Sequence, residues 1–185
     1  MTKPKLRIIL DLNGVVQEHY SKQFKRFAKE EIAAGRLTWF DFAIMAVKLK
    51  LKNHSLTPKQ EGFMKRFYET DQHIKTPFLP DAVQDVKQLL KDYPVHICSA
   101  NDYSPESNER YKKFLTKTFG KFASIDFVPP FTSKFGFYKE IQEKYPNDEF
   151  IVMDDSPNHI KEAEEAGLWR FKIDKKIGIT VCPVR

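Results

Sequence analysis

The stretch LRIILDLNGVV, residues 6–16, constrains this chain more than any other. It is a largely apolar run that ends on a carboxylate, Asp11, passes an amide, Asn13, and reaches a glycine, Gly14. A run without in-and-out alternation reads as a strand buried on both faces, at the centre of a mainly parallel sheet covered by helices. Asp11 then stands at the carboxyl end of that strand. The binding crevice of an open α/β sheet lies there, so the acid is expected to face a ligand. Gly14 permits a sharp turn beside it. Up to this point an ordinary Asx turn after a strand reads the same way, and the later segments decide.

Residues 17–80 change character, being rich in Phe, Lys and Arg at helical spacings. Helices are expected over 21–34, 38–51 and 57–72. Ser21, Thr38 and Thr57 serve as N-caps, Pro58 as a first helical residue, and Gly35 as a C-terminal cap. Phe24 with Phe27 and Phe63 with Phe67 fall at helical-neighbour spacing and suit the core of a small bundle. The segment holds twelve Lys and Arg against seven Asp and Glu, a net +5 out of the chain's +6. Lys22, Lys25, Arg26, Lys65 and Arg66 are either a solvated face or a rim that steers anions. The domain plan is a core of residues 1–16 and 81–185 with a helical insertion, 17–80.

The remainder alternates helix and strand. A helix over 81–92 precedes a strand over 95–98, with Ser99 and Asn101 at its end. A helix over 105–118 and a strand over 124–128 follow, then Lys134 just ahead of another helix. A strand over 149–153 ends in Asp154 and Asp155. Ser156 caps the next helix, Pro157 occupies its first position, Gly167 closes it, and residues 169–173 form a fifth strand. The terminal ITVCPVR carries no signal. Such alternation gives a three-layer α/β/α fold.

Two adjacent acids at a strand end repel each other and favour a hard divalent cation. Mg²⁺ binds through one or two carboxylates plus phosphate oxygens. The basic balance, with a pI near 9.1, favours phosphorylated ligands, nucleic acid or acidic lipid alike. Cys98 and Cys182 have neither metal-ligand spacing nor a disulfide framework, which points to a reducing compartment. No signal peptide is visible, because the first apolar run is short and ends in Asp11. The run over 44–51 is broken by Lys48 and Lys50, so no transmembrane helix is expected. The expected setting is cytoplasmic, or delivery into a reducing cytosol.

Taken together, these motifs resemble the four signatures of the haloacid dehalogenase-like (HAD) superfamily. Asp11-Leu12-Asn13-Gly14-Val15 is similar to its first signature, Asp-x-Asp-Gly-Val/Thr, with Asn13 in place of the second acid. Ser99 matches the second, Lys134 the third, and Asp154-Asp155 the last, with His159 where many members carry an acid or amide. The resemblance spans residues 6–174. It implies a Rossmannoid fold with the Asp11 strand central and, at 17–80, a helical cap of the kind that generally selects substrate. It also implies a Mg²⁺-dependent phosphatase with Asp11 as nucleophile. Ser99, Asn101 and Lys134 would hold the phosphoryl group, and Asp11, the Asn13 backbone carbonyl, Asp154 and Asp155 the metal. A phosphoacceptor receiver domain uses similar parts in the reverse order. Dehalogenation needs no metal and leaves the acid pair without a purpose.

A weaker resemblance is to HAD-like phosphotyrosine phosphatases secreted by intracellular bacteria, which would make a phosphoprotein the substrate and argues against nucleic acid. The residues point the same way. An amide at position 13 neither gives nor takes a proton, so turnover should favour aryl esters, whose phenolate leaves without help. The competing reading is a catalytically impaired module that binds a phosphoprotein or nucleic acid without turnover.

Overall fold

The computed structural model describes residues 4–18, 21–50, 55–100, 104–129, 132–174 and 178–181. Among these residues six strands form one sheet: β1 (Leu6–Leu10), β2 (Val95–Ser99), β3 (Ser124–Phe127), β4 (Glu149–Asp154), β5 (Trp169–Asp174) and β6 (Gly178–Val181). Their order is β3-β2-β1-β4-β5-β6, with the first five parallel and β6 antiparallel to β5. β1 is central, and Ile8 lies opposite Val95 on one side and Ile151 on the other. Its apolar run is thereby explained. Ile8 and Leu10 face one buried cluster with Val86, Tyr111 and Leu115, while Ile9 faces another with Tyr138, Ile141 and Ala163.

The described residues also form seven helices: α1 (Ser21–Ala33), α2 (Trp39–Lys50), α3 (Pro58–Glu69), α4 (Ala82–Asp92), α5 (Pro105–Phe119), α6 (Phe135–Lys144) and α7 (Pro157–Glu165). β6 is the element with no sequence expectation behind it. Its Ile-Thr-Val has strand propensity, but four residues are too few for periodicity to register. Pairing with β5, Phe171 opposite Val181, is what makes it a strand.

α1, α2 and α3 share a cluster of their own, built on Phe24, Phe27, Met45, Phe63 and Phe67. The rings meet largely edge to face, Phe24 on Phe63 at 5.0 Å and 87°. Thr57 and Gln60 form a reciprocal capping box at α3, and Thr38 and Asp41 do the same for α2. Ser21, expected as an N-cap, is instead the first residue of α1. Buried Glu31 accepts from Arg36 and Arg66, and these bonds, Arg36 first, hold its carboxyl below the usual range. Arg66 is therefore tied into the bundle. Lys65, Lys22 and Arg26 make only exposed pairs with Glu69, Glu18 and Glu30, which contribute little to stability.

The chain enters and leaves this bundle on adjoining backbones. Glu18 N donates to Pro77 O, and Leu79 N donates to Val16 O at 3.0 Å. The buried Gln17 side chain locks the pair, donating to Thr76 O and accepting from the Tyr111 hydroxyl on α5. Arg110 Nε reaches both oxygens of Asp71 at 2.9 Å, fixing the end of α3 to the same helix.

His73 sits in this junction against the rings of Tyr68 and Tyr111. Burial pulls its pKa from 6.5 down to about 4. The unfolded chain then takes up this proton first. Stability that is complete above pH 6.5 should decline as pH falls from 6.5 toward 4, by up to about 3 kcal/mol. His73→Phe keeps a ring and cannot titrate, so it should flatten that window in urea unfolding. Identical pH slopes for both proteins would place the effect elsewhere.

Candidate active site

The carboxyl ends of β1, β2 and β4, together with the turn into α6, deliver the side chains that the sequence singles out. The switch point of a parallel sheet lies there, where neighbouring connections run to opposite faces and leave a crevice. Ser99 Oγ donates to Asp11 Oδ1 at 2.8 Å. Lys134 Nζ donates to the same Oδ1 at 2.9 Å and to Asp154 Oδ2 at 2.7 Å. One edge of the Asp11 carboxylate is thus held by two donors. Lys134 is 1% exposed. Its main-chain N–H is fixed by Glu162 Oε2 on α7 at 2.8 Å. Lys139, one turn further along α6, is exposed, with Nζ 5.6 Å from the centroid of the Phe135 ring, and takes no part in this cluster of bonds.

One ammonium shared by two buried carboxylates leaves a negative balance, and the two acids divide it unequally. Burial pushes the Asp11 carboxyl up, with the Asp154 charge acting the same way, and Lys134 and Ser99 offset only part of this. Burial acts upward on Asp154 as well, but bonds from His159 and Lys134 outweigh it and the net direction is down. Lys134 itself is raised: burial works against its charge, and Asp11 and Asp154 overcome that. Asp155 adds a third carboxylate. Asp11, Asp154 and Asp155 each offer an oxygen within 4.8 Å of the others'. Three carboxylates and one ammonium carry two negative charges when ionised. An all-oxygen set of that charge fits a hard dication such as Mg²⁺.

Asp155 is placed by Gly14. At φ +82° a Cβ on Gly14 would stand 2.3 Å from Asp155 Oδ2, so the turn and the acid interlock only without a side chain. Gly14→Ala should cost about 1–3 kcal/mol in stability and displace Asp155. Apparent Mg²⁺ affinity should fall by about 10- to 100-fold. Unfolding curves and metal titration of turnover check both. A variant with unchanged metal dependence would remove Asp155 from the metal set.

Asn13 lies half-buried two residues past Asp11, in the turn that bridges to Gln17. Asn101 lies outside the described residues. Ser156 occupies the N-cap position of α7, as expected, but without a side-chain capping bond; its own N–H is accepted by Asp154 Oδ1 at 2.8 Å, which orders the turn into the helix. His159, noted in the sequence only as a departure, has Nδ1 3.2 Å from Asp154 Oδ2. Glu162 was not foreseen, and no spacing rule links it to a lysine 28 residues earlier.

No protein-family model matches the sequence, and no curated protein does. Solved structures match in shape. A haloacid dehalogenase-like family hydrolase from Streptococcus pneumoniae superposes with a TM-score of 0.66 at 15% identity, over 94% of this chain and 86% of that one. YfnB from Bacillus subtilis, described as a HAD-hydrolase and solved with magnesium, gives 0.67 at 12%, over 98% and 93%. A Thermotoga maritima protein described as a β-phosphoglucomutase gives 0.59 at 15%, over 97% and 88%. The fold is HAD-like. At these identities the likeness speaks for the fold alone, and the chemistry rests on the residues.

Proposed function

For a chain with the HAD-like fold and this cluster at its switch point, we propose a Mg²⁺-dependent phosphomonoester hydrolase working through an aspartyl-phosphate on Asp11. The observation that carries the reading is the Asp11 carboxylate, gripped at Oδ1 by Ser99 and Lys134, with Asp154 and Asp155 beside it. The carboxylate attacks phosphorus, the bond to the ester oxygen breaks, and that oxygen leaves with the electron pair. Water then attacks the phosphorus of the aspartyl-phosphate, releasing phosphate and restoring the carboxylate. One difficult displacement becomes two easier ones. Lys134 and Ser99 hold Asp11 in line and offer charge and a hydroxyl to the phosphoryl oxygens. Asp11, the Asn13 carbonyl, Asp154 and Asp155 would hold Mg²⁺, which would neutralise phosphoryl charge when bound.

Asn13 sets the substrate class. With no acid at this position the leaving oxygen departs unprotonated, which favours aryl phosphates, phosphotyrosine in a protein among them. Residues 17–80, on their paired backbones at 16–18 and 77–79, act as the cap that selects the ester, while 1–16 and 81–185 form the catalytic core. Release of phosphate from p-nitrophenyl phosphate, with Mg²⁺ and then with chelator, is the test. Turnover should vanish on chelation and return with added Mg²⁺. Binding of a phosphotyrosine peptide without any release under either condition would favour the impaired-module reading, which the same Asn13 supports.

A further inference from the structure

Three of the large apolar side chains that reach solvent lie on one helix of the bundle. Trp39 is 57% exposed, Phe40 73% and Val47 57%. With the exposed Ala43 and Ala46 they follow the i, i+3, i+4, i+7 pattern of a single face. The opposite face of α2 is already used: Met45 is fully buried, and Phe42 packs on Phe24 and Phe63. α2 is thus apolar on both sides, as a helix covered on both sides would be, yet one side is open.

We propose that this face is a docking surface for an anionic lipid bilayer, with Trp39, Phe40 and Val47 entering the headgroup boundary. Charge and area select this occupant. The 17–80 segment carries a net +5, and the sequence through and past α2 brings Lys48, Lys50 and Lys52 in quick succession. An open apolar face on a segment this basic suits an interface with acidic lipid. A second copy would set +5 against +5. The exposed patch is also on the order of 400 Å², about half of the roughly 800 Å² per partner that a stable protein interface buries. A bilayer needs no complementary partner surface, and a few inserted side chains suffice. No helix among the described residues is long and apolar enough to cross a membrane.

The test uses the full chain and its two tryptophans, Trp39 and Trp169. Trp169→Phe leaves Trp39 as the reporter. Vesicles of phosphatidylcholine with phosphatidylserine as about a third of the lipid should shift its emission to the blue, with partitioning at least about tenfold stronger than for phosphatidylcholine alone. Added salt should weaken it. Phe40→Ser with Val47→Ser should cut partitioning by at least about tenfold and leave the helical circular-dichroism signal of the folded protein unchanged. Three results would overturn the proposal. One is the absence of any shift on anionic vesicles, and another is equal partitioning with and without the two serines. The third is Trp39 emission already blue-shifted without lipid in a dimer that the serines dissociate, which assigns the face to a second copy.

Discussion

Replacing Asp11 with asparagine should lower phosphate release by about four to six orders of magnitude, with a thermal midpoint equal to or above that of the unmodified protein. The first half follows from chemistry: the amide is nearly the same size as the carboxylate but lacks its nucleophilic oxygen, so no aspartyl-phosphate forms. The second follows from electrostatics. Asp11 is buried, and its carboxyl is pushed up because burial outweighs the help of Lys134 and Ser99. A group raised in the folded state stabilises most when protonated, below its unfolded pKa. At neutral pH the ionised form is a cost to folding. The substituted amide removes that charge, and Lys134 keeps Asp154 as its partner at 2.7 Å. Loss of turnover together with a raised or equal midpoint thus separates catalysis from unfolding. Hydroxylamine trapping of the acyl-phosphate should label the unmodified protein during turnover and not the variant. Residual turnover within tenfold of the original would assign the nucleophile to another group.

Much of this site was legible in the sequence for a definite reason. In a parallel sheet each strand ends on the same side, so a polar residue closing an apolar run is placed at the crevice by strand direction alone. Asp11, Ser99, Asp154 and Asp155 follow that rule, and Lys134 follows it one turn removed, at the entry to α6. What connects them was not legible. The bond from Glu162 to the Lys134 main chain and the tie from Tyr111 to Gln17 join residues far apart in sequence, and no local pattern encodes either contact. Ser156 shows a different limit. Serine before proline is a good N-cap on propensity, and Ser156 does occupy that position, but its side chain makes no capping bond; the turn is ordered instead by its own N–H bonding to the charged Asp154, a contact that propensity does not register. Arg66 reads as surface charge in the sequence, but Glu31, buried on another helix, holds it.

Asn13→Asp should raise turnover of alkyl phosphates by about 10² to 10⁴-fold and that of aryl phosphates by far less. The protein as it stands has no acid at residue 13 to protonate the leaving oxygen. A phenol, with a pKa about 10, departs as its anion, whereas the alkoxide of a serine or sugar is far more basic and stalls. Restoring a carboxyl therefore helps most where the need is greatest. The surroundings favour the required protonation state. Asp11, Asp154 and Asp155 already crowd this end of the sheet within 4.8 Å of one another, and a further acid beside them would be pushed up toward the range where it can donate at neutral pH. The second half-reaction has the same defect, since an amide cannot take a proton from the attacking water. Aspartyl-phosphate should then accumulate in the unmodified protein and give a burst of phenol before the steady state, and Asn13→Asp should abolish the burst. Stopped-flow release of p-nitrophenol measures this directly, and an alkyl ester such as glycerol phosphate supplies the comparison. If the unmodified protein prefers the alkyl ester, or if the new acid accelerates both esters equally, residue 13 does not govern the leaving group, and the aryl preference goes with it.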